Sequence, residues 1–561
     1  MTADVSDVVL ILGGGIHGVG LARELVHQGV SVCLVEAHDL ASGATAKSSR
    51  LIHGGLRYLE YGDVRLVRES LQERQRLLDT APQFVRPLEL FIPVRQDWSG
   101  LVHAAAGFVG LSRTPLGSWL GPRPERGFWP VRFGLKMYDW LAAADELPGS
   151  RSVAVGSPGA PRVSPARFRQ LLAYYDAQMP FPERFVMALL ADAEQAAQAA
   201  SVRLSVQTWA TLQLDGDRIR IVDRVTGDQR EELRPAAIVN TTGAWGDLTL
   251  GRLTGAHSAF FGGTKGSHFV TWNQELVAAV GVHGVYAEAA DGRLVFILPL
   301  GDAVLVGTTD ETFVGDPGEA IATDAELTYL RGMVQEVMGI SLQPEDITLH
   351  YSGVRPLPKA DTSSNAAVSR EHFVREETWQ GIPLWTLVGG KLTTWRPVAE
   401  QMADQVLVKL GRRRRSSLAD RLIPGAEDYA ALQPSPADAL TRELSPLGVS
   451  RQEVAALCAL FGSRLRQVVR ESGADRTRVA GTVLSRSVVR WIIRHEHVRT
   501  LEDLVERRLL LVFARTLSRA TLIELSELLV ECEVLLEDTR TEAVEEAVRR
   551  LRLHYGRRLP E

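Results

Sequence analysis

Three glycines near the start of the chain, Gly13, Gly15 and Gly18, have the spacing of a phosphate-binding turn. In such a turn the first glycine permits a tight bend, the second lets the backbone approach a pyrophosphate, and the third lets a helix pack closely on a strand. The free N–H groups at the start of that helix favour a phosphate. Glu36 is placed to accept hydrogen bonds from an adenosine ribose, which disfavours a 2′-phosphate. The motif predicts dinucleotide binding and does not distinguish FAD from NAD.

A second cluster, "LASGATAKSSRLIHGG" at residues 40–55, distinguishes the two cofactors. Its glycines, Gly54 and Gly55, permit close backbone approach to a flat ring. A nicotinamide enzyme has no use for such a segment at this place, so the cluster indicates a flavin. Its small hydroxyl donors, predicted to wrap the pyrophosphate, are Ser42, Thr45, Ser48 and Ser49.

The elements that must position these residues follow from the hydrophobic pattern. Val8–Leu12 and Ser31–Val35 are apolar runs typical of strands in a parallel sheet, and residues 19–28 between them predict a helix that stops at Gly29. "IVNTTGAWGD" at residues 238–247 predicts another buried strand, whose glycine turn closes over the adenosine half through Thr242 and Gly243. Residues 292–310 predict two antiparallel strands joined at Gly301-Asp302.

Composition limits the function classes. The chain has 561 residues, of which 45% are hydrophobic and 23% charged, so we expect a globular protein of about three domains. The net charge of −5 argues against a nucleic-acid binder. The three cysteines are far apart, so neither a zinc site nor a disulfide framework is indicated, and a reducing cytosol is expected. There is no signal-peptide pattern and no apolar stretch long enough to span a bilayer.

The chain resembles the FAD-dependent glycerol-3-phosphate dehydrogenase family, flavoenzymes that pass electrons to membrane quinone. "IHGGLRYLE", "SGVRPL" and "GGKLTT" together are hard to place in another family, and the resemblance reaches from residue 8 to about residue 425. The other matching blocks, in the family's order, are "ILGGGIHGVG", "GLKMYDWL", "VNTTGAW", "TKGSHFV", "VFILPL", "VGTTDETFVGDP" and "LIPGA".

The resemblance implies an α/β fold with an additional α domain. We expect a Rossmann-like FAD-binding domain of the glutathione-reductase/amino-acid-oxidase type, an inserted antiparallel-sheet substrate domain and a C-terminal all-α domain. The expected boundaries are 1–95, 160–255 and 345–410 for the FAD-binding domain, 96–159 and 256–344 for the substrate domain, 411–437 for a solvated basic linker, and 438–561 for the helical domain. The helical domain carries no cofactor motif, which favours packing or homodimerisation.

The resemblance also implies the reaction and its residues. sn-Glycerol 3-phosphate is oxidised to dihydroxyacetone phosphate by hydride transfer to flavin N5, and the electrons pass to quinone. A dianionic phosphate favours fixed, forked cations. The residues assigned to substrate contacts are Arg57, Tyr58, Arg355 and Lys391. Arg355, Lys391 and Arg370 are also expected to act in catalysis, Arg370 as a cation that stabilises the developing alkoxide.

Two histidines and a glycine pair complete the expected site. His268 is the candidate catalytic base, since an ordinary histidine pKa of about 6.5 suits proton transfer near neutral pH. His53 is expected to contact or orient the flavin. Gly389 and Gly390, with Leu392 beside them, let backbone N–H groups meet the pyrimidine end of the flavin, where negative charge develops on reduction.

Alternatives to this interpretation stay open. With oxygen as the acceptor the protein would be an oxidase. A flavin amine or amino-acid oxidase on the same fold is disfavoured by three phosphate-type cations, and an inactive flavin-binding scaffold by the intact Arg355 and Lys391 blocks. Residues 97–130, unusually apolar for the family, predict either a segment lying flat on the inner face of the cell membrane or a buried hairpin or helix. Trp395 replaces an expected tyrosine, a change that affects acceptor access or polyol specificity.

Overall fold

A computed structural model describes residues 7–59, 63–94, 128–142, 146–255, 259–288, 293–359 and 372–560. Most of the apolar segment predicted at residues 97–130 therefore lies outside the described residues. The described strands, numbered β1 to β19 in chain order, are Val8–Leu12, Ser31–Val35, Leu51–Ile52, Arg86–Val94, Arg151–Ala154, Gln170–Gln178, Leu204–Gln207, Ala210–Asp215, Arg218–Asp223, Gln229–Leu233, Ala237–Asn240, Thr264–Thr271, Gly284–Glu288, Leu294–Leu300, Ala303–Gly307, Glu311–Thr312, Leu349–Arg355, Phe373–Trp379 and Ile382–Val388.

Helices are concentrated in the last quarter of the chain. The described α-helices, numbered α1 to α15, are Ile16–His27, Leu56–Leu59, Val64–Thr80, Phe128–Leu141, Pro182–Ala200, Gly246–Thr254, Gln274–Val280, Asp324–Met338, Trp395–Lys409, Pro436–Leu444, Arg451–Phe461, Leu465–Glu471, Arg486–His495, Arg519–Glu531 and Arg540–Tyr555. A π-helical segment, Asp503–Arg508, lies between α13 and α14.

A six-stranded sheet carries the glycine-rich turn. Its order is β18-β19-β11-β1-β2-β7, and β1 pairs in parallel with both β2 and β11. Helices α1, α5 and α9 pack against it through an apolar core that includes Leu25, Leu189 and Val398. The predicted strand–helix–strand unit is confirmed, because α1 connects β1 to β2 and these two strands pair in parallel.

A ten-stranded sheet forms the second layer. Its order is β16-β12-β15-β14-β13-β4-β6-β3, with β17 added on β12 and β5 on β6. The hairpin predicted at Gly301 is confirmed, since Leu300 pairs with Ala303 across an antiparallel turn. Together with the helical C-terminal region, the two sheets confirm the predicted fold class.

The ten-stranded sheet includes four strands from the ranges expected for the cofactor domain. These strands are β3, β4, β6 and β17. Strand β4 pairs with β6 along its whole length, from Arg86 to Val94. Hydrophobic alternation shows that a strand exists and does not show its partner.

The predicted solvated linker is wrong for the arginine run that opens it. Arg412 donates to the carbonyl of Gly29 at 2.8 Å, just beyond the end of α1, and Arg414 pairs with Glu24 of α1 at 2.8 Å. The backbone N–H of Arg415 donates to the side chain of Gln28 at 2.6 Å. These basic groups lie at the carboxyl end of α1, where cations are favoured. The segment is therefore bound to this helix by ion pairs and hydrogen bonds.

A buried ion pair connects α5 to the C-terminal helices. Arg184 lies on α5, and its guanidinium donates to both carboxylate oxygens of Glu496 at 2.6 and 2.8 Å. Both side chains are almost completely buried. Removing one member leaves the other charge buried without its counter-ion.

We expect Glu496→Ala to lower the free energy of unfolding by about 3–5 kcal/mol, because it strands the Arg184 charge in the interior. The measurement is the midpoint and slope of denaturant unfolding, followed by circular dichroism. The control is Arg451→Ala, which breaks an exposed pair with Asp438 and should leave the free energy of unfolding almost unchanged. Equal effects of the two substitutions would contradict this account of the Arg184 pair.

Candidate functional site

The glycine-rich turn is shaped by very close backbone contacts. Gly13 has φ +102°, and a Cβ there would lie 2.7 Å from the carbonyl oxygen of Thr241. A Cβ on Gly18 would lie 1.8 Å from the carbonyl oxygen of Gly13. Gly15 occupies the N-cap of α1 and contributes no side chain there. The sequence thus folds the start of α1 tightly against the ends of β1 and β11 and leaves its first turn open to a ligand.

Glu36 and Thr45 hold this turn from the side. The Glu36 carboxylate accepts from the backbone N–H of Gly14 at 2.6 Å and of His38 at 2.9 Å. Burial raises the pKa of Glu36. The Thr45 hydroxyl oxygen accepts from the N–H of Ile16 at 3.1 Å. Residues 39–50, which we call the wrapping segment, therefore pass directly beside the start of α1.

A flavin dinucleotide fits the groups around α1. Gly389 and Gly390 both have positive φ, and a Cβ on Gly390 would lie 2.6 Å from the ring of His17. The Nε2 atom of His17 is buried and has no hydrogen-bond partner in the described part of the chain. Burial lowers the pKa of His17 to about 4. An open helix start, an unsatisfied ring nitrogen and a side-chain-free glycine loop are together suited to a ligand with phosphates and polar ring edges.

The turn after β11, predicted to close over the adenosine half of the cofactor, is less closely packed than the glycine-rich turn. The Thr242 hydroxyl donates to Asn240 at 2.7 Å, and Gly243 has φ +60° with open space where a Cβ would stand. Leu392 packs at the edge of the core behind the glycine loop. The Ser48 hydroxyl accepts from the N–H of Arg50 at 3.3 Å, and the N–H of Ser42 donates to the carbonyl of Asp39 at 3.3 Å.

His268 is joined to Ser49 across the two layers. It lies on β12, its Nε2 is 2.9 Å from Ser49 Oγ, and its ring stacks on Tyr351 with centroids 4.9 Å apart. Gly307 makes room for the imidazole, since a Cβ there would lie 2.1 Å from it. Burial, with the nearby charge of Arg355, lowers the pKa of His268 to about 3. The imidazole is thus uncharged at neutral pH and paired with a hydroxyl, an arrangement that the sequence did not reveal.

Arg355 is held in a fixed orientation at the end of β17. Its guanidinium pairs with Asp310 at 2.9 Å and donates to the Thr308 hydroxyl at 3.0 Å and to the Thr309 carbonyl at 3.1 Å. A Cβ on Gly266 would lie 2.3 Å from this guanidinium, so only glycine fits beneath it. The residues around Asp310 thus orient a forked cation as well as forming a turn.

Lys391 and His53 lie on two neighbouring loops, which are joined by a hydrogen bond from His53 to Thr393. The Lys391 ammonium lies 4.0 Å from the centroid of the Tyr58 ring. The N–H of His53 donates to the Thr393 hydroxyl at 3.3 Å, and the His53 ring lies 6.5 Å from that of Phe296. Phe296 pairs with Gly307, which in turn pairs with His268.

These contacts link Lys391 to Tyr58, and they place His53 beside the first of three adjacent strands, the third of which carries His268. Two predicted site residues are not located. The side chain of Arg57 and the whole of Arg370 lie outside the described residues.

Two sequence interpretations need correction. Gly54 does not leave space for a ring, because the Tyr138 hydroxyl fills it 2.4 Å from where a Cβ would stand. Its N–H donates to that hydroxyl at 2.9 Å and to Asp176 at 3.2 Å. Trp395 is buried against Phe185 with ring centroids 5.6 Å apart, so it belongs to the core beneath α1 and does not reach acceptor or substrate.

Metal chemistry has no visible site: no group of three or more histidine, cysteine, aspartate or glutamate side chains within the described ranges could hold a metal ion. The residues that sequence reasoning missed are Tyr138, Asp176, Thr308 and Tyr351. Tyr138 lies inside the quoted block "GLKMYDWL" and Tyr351 directly precedes the block "SGVRPL", but their roles depend on partners far away in sequence.

Comparison with known proteins shows the family to which the chain is similar. Residues 8–404 match the family described as FAD dependent oxidoreductase. The chain is 33% identical to a glycerol-3-phosphate dehydrogenase of Synechocystis, over 82% of this chain and 80% of that protein. It is 29% identical to the D-erythritol 1-phosphate dehydrogenase of Brucella abortus, over 89% of this chain and 93% of that protein.

A solved structure shares the fold. The glycerol-3-phosphate dehydrogenase of Bacillus halodurans, complexed with FAD, superposes with a TM-score of 0.71 at 19% identity. The match covers 98% of this chain and 96% of that one.

His268 should make stability depend on pH in a defined direction. Its folded pKa lies below the value of the unfolded chain, so the unfolded state binds more protons as pH falls below about 6.5 and stability is lost. His268→Gln removes that loss. We therefore compare the free energy of unfolding of the unsubstituted protein with that of His268→Gln. We expect the difference between the two to become smaller by about 2 kcal/mol when the pH is lowered from about 7.5 to 5.

The measurement is denaturant unfolding at several pH values. Ser49→Ala is the matched control, because it removes the partner hydroxyl and keeps the imidazole, so its difference from the unsubstituted protein should not narrow in this way. A His268→Gln difference that stays constant with pH would refute the assignment of an uncharged, buried imidazole.

Proposed function

Because the chain belongs to the FAD-dependent oxidoreductase family, we propose that it oxidises sn-glycerol 3-phosphate to dihydroxyacetone phosphate and passes the electrons to a membrane quinone. The observation that carries this proposal is an oriented guanidinium, Arg355, close enough to the buried and uncharged His268 to contribute to the lowering of its pKa. The names of the relatives from Synechocystis and Bacillus halodurans support the choice of substrate.

The cations select a phosphorylated substrate. Arg355 is a planar fork held by Asp310 and Thr308, so it loses little freedom on binding a phosphate. Lys391 supplies a second positive charge, positioned over the face of Tyr58. We assign both residues, with Arg57 and Arg370, to the phosphate and hydroxyl groups of the substrate.

The chain's part in the reaction is to hold the secondary alcohol and to take its proton. FAD, when bound, supplies a two-electron acceptor. Residues 13–18, the wrapping segment and residues 389–390 would hold the cofactor. Ser49 and His268, whose polar atoms lie 2.9 Å apart, are the groups that we assign to the hydroxyl proton. Because burial and Arg355 lower the pKa of His268 to about 3, this role requires the pKa to rise when the anionic substrate binds beside Arg355. The charge of Arg355 beside them stabilises an alkoxide as it forms.

Access to quinone is supported by an exposed aromatic face on α4. Trp129, Phe133 and Trp140 lie on one side of this helix and are 44%, 60% and 68% exposed. Aromatic side chains of this kind are favoured at the lipid headgroup level. No helix within the described residues is long and apolar enough to cross a bilayer. We therefore propose peripheral attachment to the inner face of the cell membrane through α4.

The reaction is tested with the yellow holoprotein under anaerobic conditions. Adding sn-glycerol 3-phosphate should bleach the flavin band near about 450 nm. Arg355→Met should raise the half-saturating concentration about ten- to a hundredfold, because a charge-assisted contact to phosphate is lost. Arg375→Met, which removes a half-exposed arginine of β18, is the matched control.

The alternatives give different results in the same experiment. Bleaching by an amino acid and not by the polyol phosphate would overturn the proposal. Stronger bleaching by D-erythritol 1-phosphate would change the substrate and keep the reaction class. Rapid recolouring in air, faster than with a soluble quinone, would assign an oxidase instead of a dehydrogenase.

Membrane attachment is tested by flotation with vesicles of mixed anionic and zwitterionic phospholipid. The triple substitution Trp129→Ser, Phe133→Ser and Trp140→Ser should weaken binding at least about tenfold, since each side chain contributes about 1.5–3 kcal/mol on burial. The control replaces Val282 and Val314, which are exposed elsewhere, by serine. Unchanged flotation of the triple variant would refute attachment through α4.

A further inference from the structure

A buried set of charges joins the C-terminal helices to the wrapping segment. Asp39, at the start of this segment, has no exposed surface, and its carboxylate accepts from Arg507 and from two nitrogens of Arg508, both at 2.7 Å. The two arginines end the π-helical segment Asp503–Arg508. The first anchor of the wrapping segment is thus supplied from the other end of the chain.

The second anchor is an aromatic hydroxyl. Lys47 donates to the Tyr555 hydroxyl at 2.7 Å, and its ammonium lies 4.0 Å from the centroid of the Tyr555 ring. The same hydroxyl donates to Glu506 at 2.8 Å. Burial lowers the pKa of Lys47 to about 7.

The third anchor is a cation lying over an aromatic ring. The guanidinium of Arg50, at the end of the wrapping segment, lies 4.5 Å from the centroid of the Phe513 ring. Arg50 is fully buried and also pairs with Glu183 at 2.8 Å. Its φ of +59° requires the surroundings to hold the backbone in place.

Between these anchors, other side chains of the wrapping segment point to the candidate site. Thr45 accepts from the first helical N–H of α1, and Ser49 is bonded to His268. The segment therefore has one set of contacts with the C-terminal helices and another with the site. Burying charges in this way adds little stability over apolar packing, but it fixes the position of the groups that carry them.

We propose that the C-terminal helical domain positions the wrapping segment for FAD, with Arg508, Tyr555 and Phe513 acting as positioning residues for the flavin site. This role goes beyond packing or homodimerisation. It rests on the proposed assignment of Ser42, Thr45, Ser48 and Ser49 to the cofactor. The contacts place no C-terminal side chain in the reaction itself.

The test measures FAD affinity of the full-length holoprotein. Holoprotein is diluted, and free FAD in the ultrafiltrate is quantified by its fluorescence. Tyr555→Phe removes the hydroxyl between Lys47 and Glu506 and should raise the Kd for FAD at least fivefold. Lys47→Met should do the same, and the double variant should be no weaker than the worse single variant, because both substitutions break one contact.

Further readouts separate positioning from general stability. Arg486→Met is the matched control, since it breaks pairs with Glu524 and Glu531 inside the C-terminal region and away from the wrapping segment. It should lower the unfolding midpoint at least as much as Tyr555→Phe and leave the Kd for FAD unchanged. Tyr555→Phe should also alter the visible spectrum of the flavin that stays bound, whereas Arg486→Met should not.

The inference is overturned if Tyr555→Phe and Lys47→Met bind FAD within twofold of the unsubstituted protein, or if their effects simply add. The measurement of FAD affinity uses no polyol phosphate, so its result does not depend on the proposed substrate. A protein that fails to be bleached by sn-glycerol 3-phosphate but shows the expected FAD affinities would therefore lose the proposed substrate and keep the positioning role.

Discussion

The hydrogen bond between Ser49 and His268 links the segment beside α1 to the ten-stranded sheet, close to the point where the backbone of the chain joins that sheet at β3. Ser49 belongs to the segment that wraps the start of α1, and His268 belongs to the ten-stranded sheet. Each partner is fixed from behind, His268 by Tyr351 and the space above Gly307, and Ser49 by the buried Arg50 next to it. A shift of either layer would leave a buried polar group unsatisfied, which is costly in a water-free interior. This contact therefore helps to fix the position of the wrapping segment relative to the ten-stranded sheet.

The cations around this contact obey the same constraint. Arg355 is buried enough to need partners and exposed enough to receive an anion, and Asp310, Thr308 and Thr309 supply those partners. Thr309 also donates to the buried Glu326 at 2.7 Å, which is itself paired with Lys265. The guanidinium is thus held through a polar network within the sheet, and preorganisation of this kind favours electrostatic stabilisation of a charged substrate.

Local features of the fold were predictable from sequence, and distant pairings were not. The β1–α1–β2 unit and the hairpin at Gly301 depend on residues close in the chain, so spacing and turn chemistry were sufficient. The pairing of strands β4 and β17 within the ten-stranded sheet could not be predicted, because residues of that sheet lie far apart in sequence. The same limit applies to the site: Asp310 and Arg355 are each readable alone, whereas their pairing and the bond from Ser49 to His268 are tertiary. The arginine run at 412–415 was predicted to be solvated, because its charge alone does not show that it pairs with Glu24 and with the end of α1.

The separation along the chain between the wrapping segment and its anchors has a consequence for biogenesis. Asp39 and Arg508 are 469 positions apart, and Lys47 and Tyr555 are 508 apart. On the ribosome, where chains emerge from the amino end and domains fold as they appear, the early strands and α1 assemble long before these partners are synthesised. A nascent chain therefore passes through a stage with a formed sheet and an unsecured loop beside it. Cofactor loading in the cell is consequently expected to be a post-translational event, completed only after the last helix has docked.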